Sequence, residues 1–363
     1  AGSLELVAGV PAWQTATAVG LFVLVYTAYG GLVASIFTDT IQTLVILPLL
    51  AVGFGAAVVS LGGTDAVYST AMSTDPTLLD PGFRPGLEFG LYVVFAILGA
   101  NMLNQGIWQR VYAADGASTL SRSFGVAALT VVPMVLLAGL FGVAASGLGL
   151  VTPETQSVAF FLVVTEVLPE TVAFVVVLLV VLLVMSSADT MLNAISSLVT
   201  VDLARLGAVE GGRSLRLLGR GLTVLVALGA IVIGAQGYSV LQLFLTADLL
   251  AAAVFVPLIW GLYAEGLTER GAMAGSLAGL AVGIAYFPML RGVVTLVPGI
   301  GGLLPEPAML PAFLGATGVS TLVTGLAVAV GSAGFEFEAL STEIRSFDEP
   351  TAEEPPATGE VSD

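Results

Sequence analysis

The stretch 171-TVAFVVVLLVVLLVMSSADTMLNAISSLVTVDL-203 decides how the chain is read. Its first half is apolar on every side, and a helix with no polar face belongs in a protein core or a bilayer. Roughly 20 such residues cross the hydrocarbon of a membrane. Into this run fall Ser186-Ser187-Ala188-Asp189-Thr190, and Ser186, Thr190, Asn193 and Ser197 recur at helical spacing as one polar stripe, with Ser187 and Asp189 on its flanks. Polar groups at membrane depth are costly unless they face protein, water or an ion. Ser and Thr can satisfy themselves on the carbonyls of the preceding turn, but that leaves Asp189 unexplained. Hydroxyls and carbonyls strip water from a small hard cation and still release it, so the stripe reads as the lining of a cation site.

The rest of the chain agrees. Of its 363 residues 57% are hydrophobic and 10% charged, with mean hydropathy +1.02, against roughly 25% charged in soluble domains. Apolar stretches occur at 14–30, 33–61, 89–108, 124–145, 171–203, 215–233, 238–263, 273–290 and 312–330. These predict an all-α polytopic membrane protein of about nine transmembrane helices. A half-length apolar piece lies at 158–168, and Gly30-Gly31, Gly62-Gly63, Pro169 and the Pro-rich 298–311 segment predict turns. With alternating spans, Arg110, Arg122, Arg205, Arg213, Arg216, Arg220, Arg270 and Arg345 gather on one side and only Arg84 and Arg291 on the other. Positive charge collects on cytoplasmic loops, so that side is expected to be the cytoplasm and the C-terminus to be cytoplasmic. The expected organisation is a transporter domain over 1–333 and a disordered, acidic, cytoplasmic tail over 334–363. The chain opens on Ala with no leader-like segment, and the expectation is an N-terminally incomplete chain.

The chain has no Cys and no His. Thiolate chemistry, structural zinc and imidazole acid/base catalysis therefore lack their essential groups. The formal charge of -16 disfavours a nucleic-acid partner. Three further places break the apolar pattern. Thr38, Asp39 and Gln42 follow the Gly30-Gly31 pair, where Thr and Asp either cap a helix start or place a carboxylate at the mouth of an ion route. Asn101, Asn104 and Gln105, with Gly99 and Gly106, suggest a discontinuous helix whose freed groups line a cavity, or close interhelical packing. Gln242, Thr246 and Asp248 lie in the span from 238, and no partner for Asp248 is visible in the sequence.

Four segments resemble the sodium/solute symporter family of proline, pantothenate, monocarboxylate and sugar symporters. They are Tyr26-Thr27 to Gln42, Asn104-Gln105 to Arg110 with Ala113-Ala114, Ser186-Ser187-Ala188-Asp189 to Leu203, and Pro257 with Gly261-Leu262-Tyr263. The resemblance implies a LeuT-type inverted-repeat fold, present in part, because the first repeat is mostly missing from this chain. It implies a sodium site at Ser186, Ser187 and the Leu183 carbonyl, with Asp39 on the inner sodium route. Asp189 falls where members coupling a second sodium place a hydroxyl, so a second cation site between Asp39 and Asp189 is expected. Asn104 matches a substrate-contacting Asn, and Asn101, Gln105 and Gln242 complete the expected solute contacts. The Lys of sugar members is replaced by the apolar stretch around Leu129, which favours an amino acid such as proline or a carboxylate such as pantothenate.

The expected function is thus sodium-coupled symport of a small organic solute across the cell membrane by alternating access, with no enzyme activity, no cofactor and Na+ as coupling ion. The expected partners are the solute, Na+ and the lipid bilayer. Two rivals remain. Asp189 and Asp248 could form the carboxylate pair of an intramembrane aspartyl protease, although neither has a Gly-rich flank. A degenerate, transporter-like sensor would need a signalling domain that the tail has no room for.

Overall fold

The computed structural model describes residues 4–5, 8–152, 155–205, 213–236, 238–296, 298–299 and 301–331. The expected tail at 334–363 and the turn at Gly211-Gly212 lie outside them. Among the described residues every regular element is helical. In chain order these are α1 (Ala12–Ser60), α2 (Thr64–Thr74), α3 (Arg84–Leu103), α4 (Gln105–Tyr112), α5 (Ala117–Gly147) and α6 (Ala159–Val167). There follow α7 (Glu170–Arg205), α8 (Arg213–Ala235), α9 (Val240–Gly261), α10 (Glu269–Tyr286), the short α11 (Arg291–Val294) and α12 (Met309–Val330).

One sequence expectation fails at the start. The Gly30-Gly31 pair does not make a turn: α1 runs through it as a single helix of 49 residues. A glycine costs a helix only about 1 kcal/mol relative to Ala. Breaking the helix at membrane depth would strand several amides, each at a higher cost in lipid. The capping reading of Asp39 falls with the turn, because Asp39 lies well inside α1. The Gly62-Gly63 pair does turn the chain, and both residues adopt positive φ, 96° and 98°, which favours glycine.

The spans among the described residues follow the expected pattern. Seven segments among the described residues are long and apolar enough to cross a membrane: Asp39–Ser60 of α1, α3, α5, Glu170–Val199 of α7, Leu217–Ala235 of α8, α9 and α12. An eighth arises if α10 and the segment Pro288–Val294, bent by 80°, count as one span. The bend falls at Phe287, whose backbone is extended (φ -74°, ψ 116°) because the following Pro288 disfavours helical geometry there. Of the expected first span, 14–30, the described part falls in the apolar stretch Ala12–Val25 of α1. Leu44, Leu129 and Val330 are 70%, 78% and 85% exposed, which costs little if that surface meets lipid rather than water.

Helix packing sorts the chain into three groups. Tyr92 and Ala96 of α3, Leu249 and Ala252 of α9, Phe287, and Phe313 and Ala316 of α12 form one core. Phe141 of α5, Val163 and Val164 of α6, and Val176 of α7 form a second, with Ala57 of α1. Val23 of α1, Met185 and Leu192 of α7 and Ala227 of α8 form the third. In lipid, helices associate through close packing and interhelical hydrogen bonds rather than through the hydrophobic effect. The first core does both. Gly271, Gly275, Gly279 and Gly283 recur every fourth residue on α10 and are buried, and they let α12 approach until a Cβ at Gly279 would lie 2.4 Å from the Ala316 carbonyl oxygen. From α12, Thr317 and Ser320 donate to the Ala252 and Ala253 carbonyls of α9 at 3.0 and 2.6 Å.

Candidate cation site

The site is built where α1, α4 and α7 meet. The span from residue 89 is discontinuous, as its Asn and Gly content suggests: α3 stops at Leu103, Asn104 is extended (φ -76°, ψ 103°), and α4 starts at Gln105. Asn104 Oδ1 accepts from the Gly106 N–H at 2.9 Å and so caps α4. Trp108 Nε1 reaches back across the break to donate to the Met102 carbonyl at 2.8 Å. Gly106 is buried against α7, where a Cβ would lie 2.7 Å from Thr190 Cγ2. Gln109 Nε2 donates to Ser197 Oγ on the same face.

The break therefore sets α4 flat on the polar stripe of α7, and its last turn delivers Arg110. The Arg110 guanidinium pairs with Asp39 Oδ2 through Nη2, donates from the same nitrogen to Thr190 Oγ1 at 3.0 Å, and donates through Nη1 to the Gly106 carbonyl at 3.0 Å. The other oxygen of Asp39 accepts from Ser186 Oγ. A cavity of about 340 Å³ opens beside this cluster, walled by Asp39, Gln42, Arg110, Ser186, Ser187 and Thr190, with the Leu183 segment. Gln42 Oε1 is buried and accepts no hydrogen bond among the described residues. Ser187 is exposed to the cavity side and donates to the Leu183 carbonyl at 3.3 Å. The donor set is one carboxylate, an orphan amide oxygen, hydroxyls and a backbone carbonyl: hard oxygen ligands suited to an alkali or alkaline-earth cation rather than to a soft metal.

Four of the five residues singled out for cation binding thus come together: Asp39, Leu183, Ser186 and Ser187 all border the cavity. Asp189 does not border it. Asp189 is 2% exposed and shares the α7 face of Met185 and Leu192, which packs on α1 and α8. Of the expected solute contacts, Asn104 caps α4 through its Oδ1, Gln105 is half-buried in its first turn, and Asn101 and Gln242 are exposed on α3 and α9. Asp189 and Asp248 fall in different packing groups, Asp248 being buried on α9, so no carboxylate dyad is assembled. No group of three or more Asp or Glu side chains converges on a metal-sized site among the described residues.

One participant was not recognised from sequence. Arg110 reads there as one of several loop arginines, although its place one short helix beyond the Asn104 break is a signal that it folds back into the protein. Gln42, marked in the sequence with Asp39 but given no ligand role, lies one helical turn beyond it on the same face and borders the cavity.

The description "sodium:solute symporter family" fits a model that matches residues 1–279. The chain is similar to the sodium/glucose cotransporter of Vibrio parahaemolyticus, 27% identical over 337 residues that cover 79% of this chain and 60% of that protein. It is similar to the sodium/pantothenate symporter of Escherichia coli, 25% identical over 78% of this chain and 59% of that protein. The urea-proton symporter DUR3 of Oryza sativa is 23% identical over 77% of this chain and 44% of its own length. The chain thus spans about half to three-fifths of the length of these relatives.

Proposed function

We propose, from the premise that the chain belongs to the sodium:solute symporter family, that the full-length protein imports a small organic solute with sodium by alternating access. The family is one of transporters, not enzymes, and the spans make this a multi-pass membrane protein. The observation that carries the reading is the convergence of Asp39, Ser186, Ser187 and Leu183 on one cavity. Sodium would take its ligands from the Ser186 and Ser187 hydroxyls and the Leu183 carbonyl, with Asp39 drawing it in and guiding its exit. Asn101, Asn104, Gln105 and Gln242 remain the residues we assign to the solute, which we take to be an amino acid such as proline or a carboxylate such as pantothenate. Sodium binding on one side would hold the protein open to that side, and its loss on the other would favour release. We place the protein in the cell membrane with its C-terminus in the cytoplasm, from the distribution of arginine.

The test is uptake by the full-length protein in proteoliposomes, against labelled amino acids, carboxylates, sugars and urea, with and without an inward sodium gradient. Accumulation of one compound only in the presence of the gradient supports symport and names the solute. Uptake of every compound at the rate of empty vesicles, together with no sodium binding, overturns the reading.

A further inference from the structure

Arg110 is the one group at the site whose charge is the same sign as the cargo. Resting on the symport reading above, we propose that the Arg110 guanidinium is a tethered competitor of the transported cation: it occupies Asp39 when the cation is away, and the cation displaces it on arrival.

Three features carry this. First, both carboxylate oxygens of Asp39 are taken, Oδ2 by Arg110 and Oδ1 by Ser186. In this arrangement a cation at Asp39 competes with the Arg110 guanidinium for the same carboxylate charge. Second, among the described residues Asp39 and Arg110 are the sole carboxylate and the sole cationic side chain on the cavity wall, so their charges cancel. A monovalent cation added to the closed pair would sit beside a guanidinium of like charge in a half-buried site, whereas a cation exchanged for it keeps the balance. The orphan Gln42 Oε1 stands in the same wall. A buried carbonyl oxygen with no donor costs free energy, and a bound cation would satisfy it.

Third, Arg110 has somewhere to go. Thr190 Oγ1 and the Gly106 carbonyl each accept from it at 3.0 Å, so giving up Asp39 does not strand the guanidinium. Gly106 lies on α4 itself, one turn before Arg110, so the arginine is tethered to its own helix. That helix is separated from α3 by the extended backbone at Asn104. The exchange has a functional consequence. Arginine returning to Asp39 helps expel the cation, so that strong attraction by a carboxylate does not become a trap.

The experiment uses the full-length protein in proteoliposomes with two readouts: the sodium concentration for half-maximal uptake, and sodium-dependent protection of a thiol placed by Thr43→Cys, Thr43 being a further residue of the cavity wall next to Gln42. This chain has no cysteine of its own, so the reporter is clean within it. Arg110→Gln is expected to lower the half-effect sodium concentration in both readouts by about five-fold or more, while the maximal uptake rate falls because release is slowed. Arg110→Lys should bring both back toward the parent. Thr190→Ala removes the fallback acceptor and should shift the sodium concentration the opposite way, upward. A purely structural arginine would lower the rate and leave the sodium midpoint in place, and that result in Arg110→Gln overturns the proposal. If Arg110→Gln does not insert, an unchanged or lowered midpoint in Thr190→Ala overturns it instead. Absence of any sodium effect on the parent protein would sink the symport reading itself, which is a separate outcome.

Discussion

Replacing Gly279 by Ala should separate two helices that the fold holds in backbone contact. The new methyl would lie 2.4 Å from the Ala316 carbonyl oxygen and 2.7 Å from Ser320 Cβ. Ordinary contact starts near 3.4 Å, so α10 and α12 must part by roughly 1 Å. Neither obstacle is the free end of a flexible side chain that could swing aside. Parting also strains the Ser320 and Thr317 hydrogen bonds, 2.6 and 3.0 Å, that tie α12 to α9. Overpacking of this kind costs about 1–3 kcal/mol, and the upper part of that range is expected because backbone has to move. Gly318 on α12 is the control, since a Cβ there meets nothing within 4 Å. Gly318→Ala should be neutral or stabilising by up to about 1 kcal/mol from helix propensity alone. The measurement is unfolding of the purified full-length protein in mixed micelles by rising denaturing detergent, alongside its thermal midpoint. Equal midpoints for the two variants, or a Gly279→Ala protein more stable than the parent, would refute the argument that backbone contact at this stripe joins the helices.

Other outcomes follow from the site and its supports. Ser187→Ala should raise the sodium concentration for half-maximal uptake by about ten-fold, the equivalent of losing one ligand contact; an unchanged sodium dependence would remove Ser187 from the site. Asn104→Ala deletes the cap of α4 and should destabilise that helix by about 1 kcal/mol, lowering uptake, whereas Asn104→Asp keeps an acceptor and should restore it; equal activity of the two would show that the cap is immaterial. Outside the spans, Asp75 accepts from the Thr77 hydroxyl at 2.7 Å and its N–H at 2.9 Å, and the hydroxyl bond chiefly holds its carboxyl below the ordinary 3.8. Its support for the turn at Pro76–Leu79 is therefore present above the ordinary carboxylate value and fades as pH falls through the lowered one. Thr77→Val should bring the carboxyl up toward 3.8, read by NMR titration of the Asp75 side chain, and a titration midpoint that stays where it is in the parent would contradict that cause.

What could be read from sequence was whatever depends on local pattern. A run such as 171–203 has only one low-energy state in lipid, because each amide must be bonded within its own segment, and the membrane helices follow from composition. The break at Asn104 was legible for a similar reason: Asn followed by Gln-Gly offers a cap and a close approach just where apolar pattern gives way. Ser186, Ser187 and Asp39 stood out because polar groups at membrane depth are costly. The Gly30-Gly31 pair misled, since glycine weakens a helix by an amount that an apolar setting outweighs. The four-residue glycine spacing from Gly271 to Gly283 was in plain sight, but its partner is a second helix 30 or more residues away, and spacing alone names no partner.

Tertiary structure alone decided which polar residues share a site. Asp39 and Arg110 are 71 residues apart and Asp39 and Ser186 147 apart, so no local rule pairs them. Asp189 adjoins Ser186 and Ser187 in sequence, yet helical rotation carries it to another face, against α1 and α8. A step of two or three residues along a helix is enough to carry a side chain from the cavity wall to a buried face. The sequence by itself thus determined that this is a helical membrane protein with a polar, hydroxyl-rich stripe on α7. Long-range packing of α1 and α4 onto that helix determined that Asp39 of α1 meets Arg110 of α4 and Ser186 of α7 at one cavity.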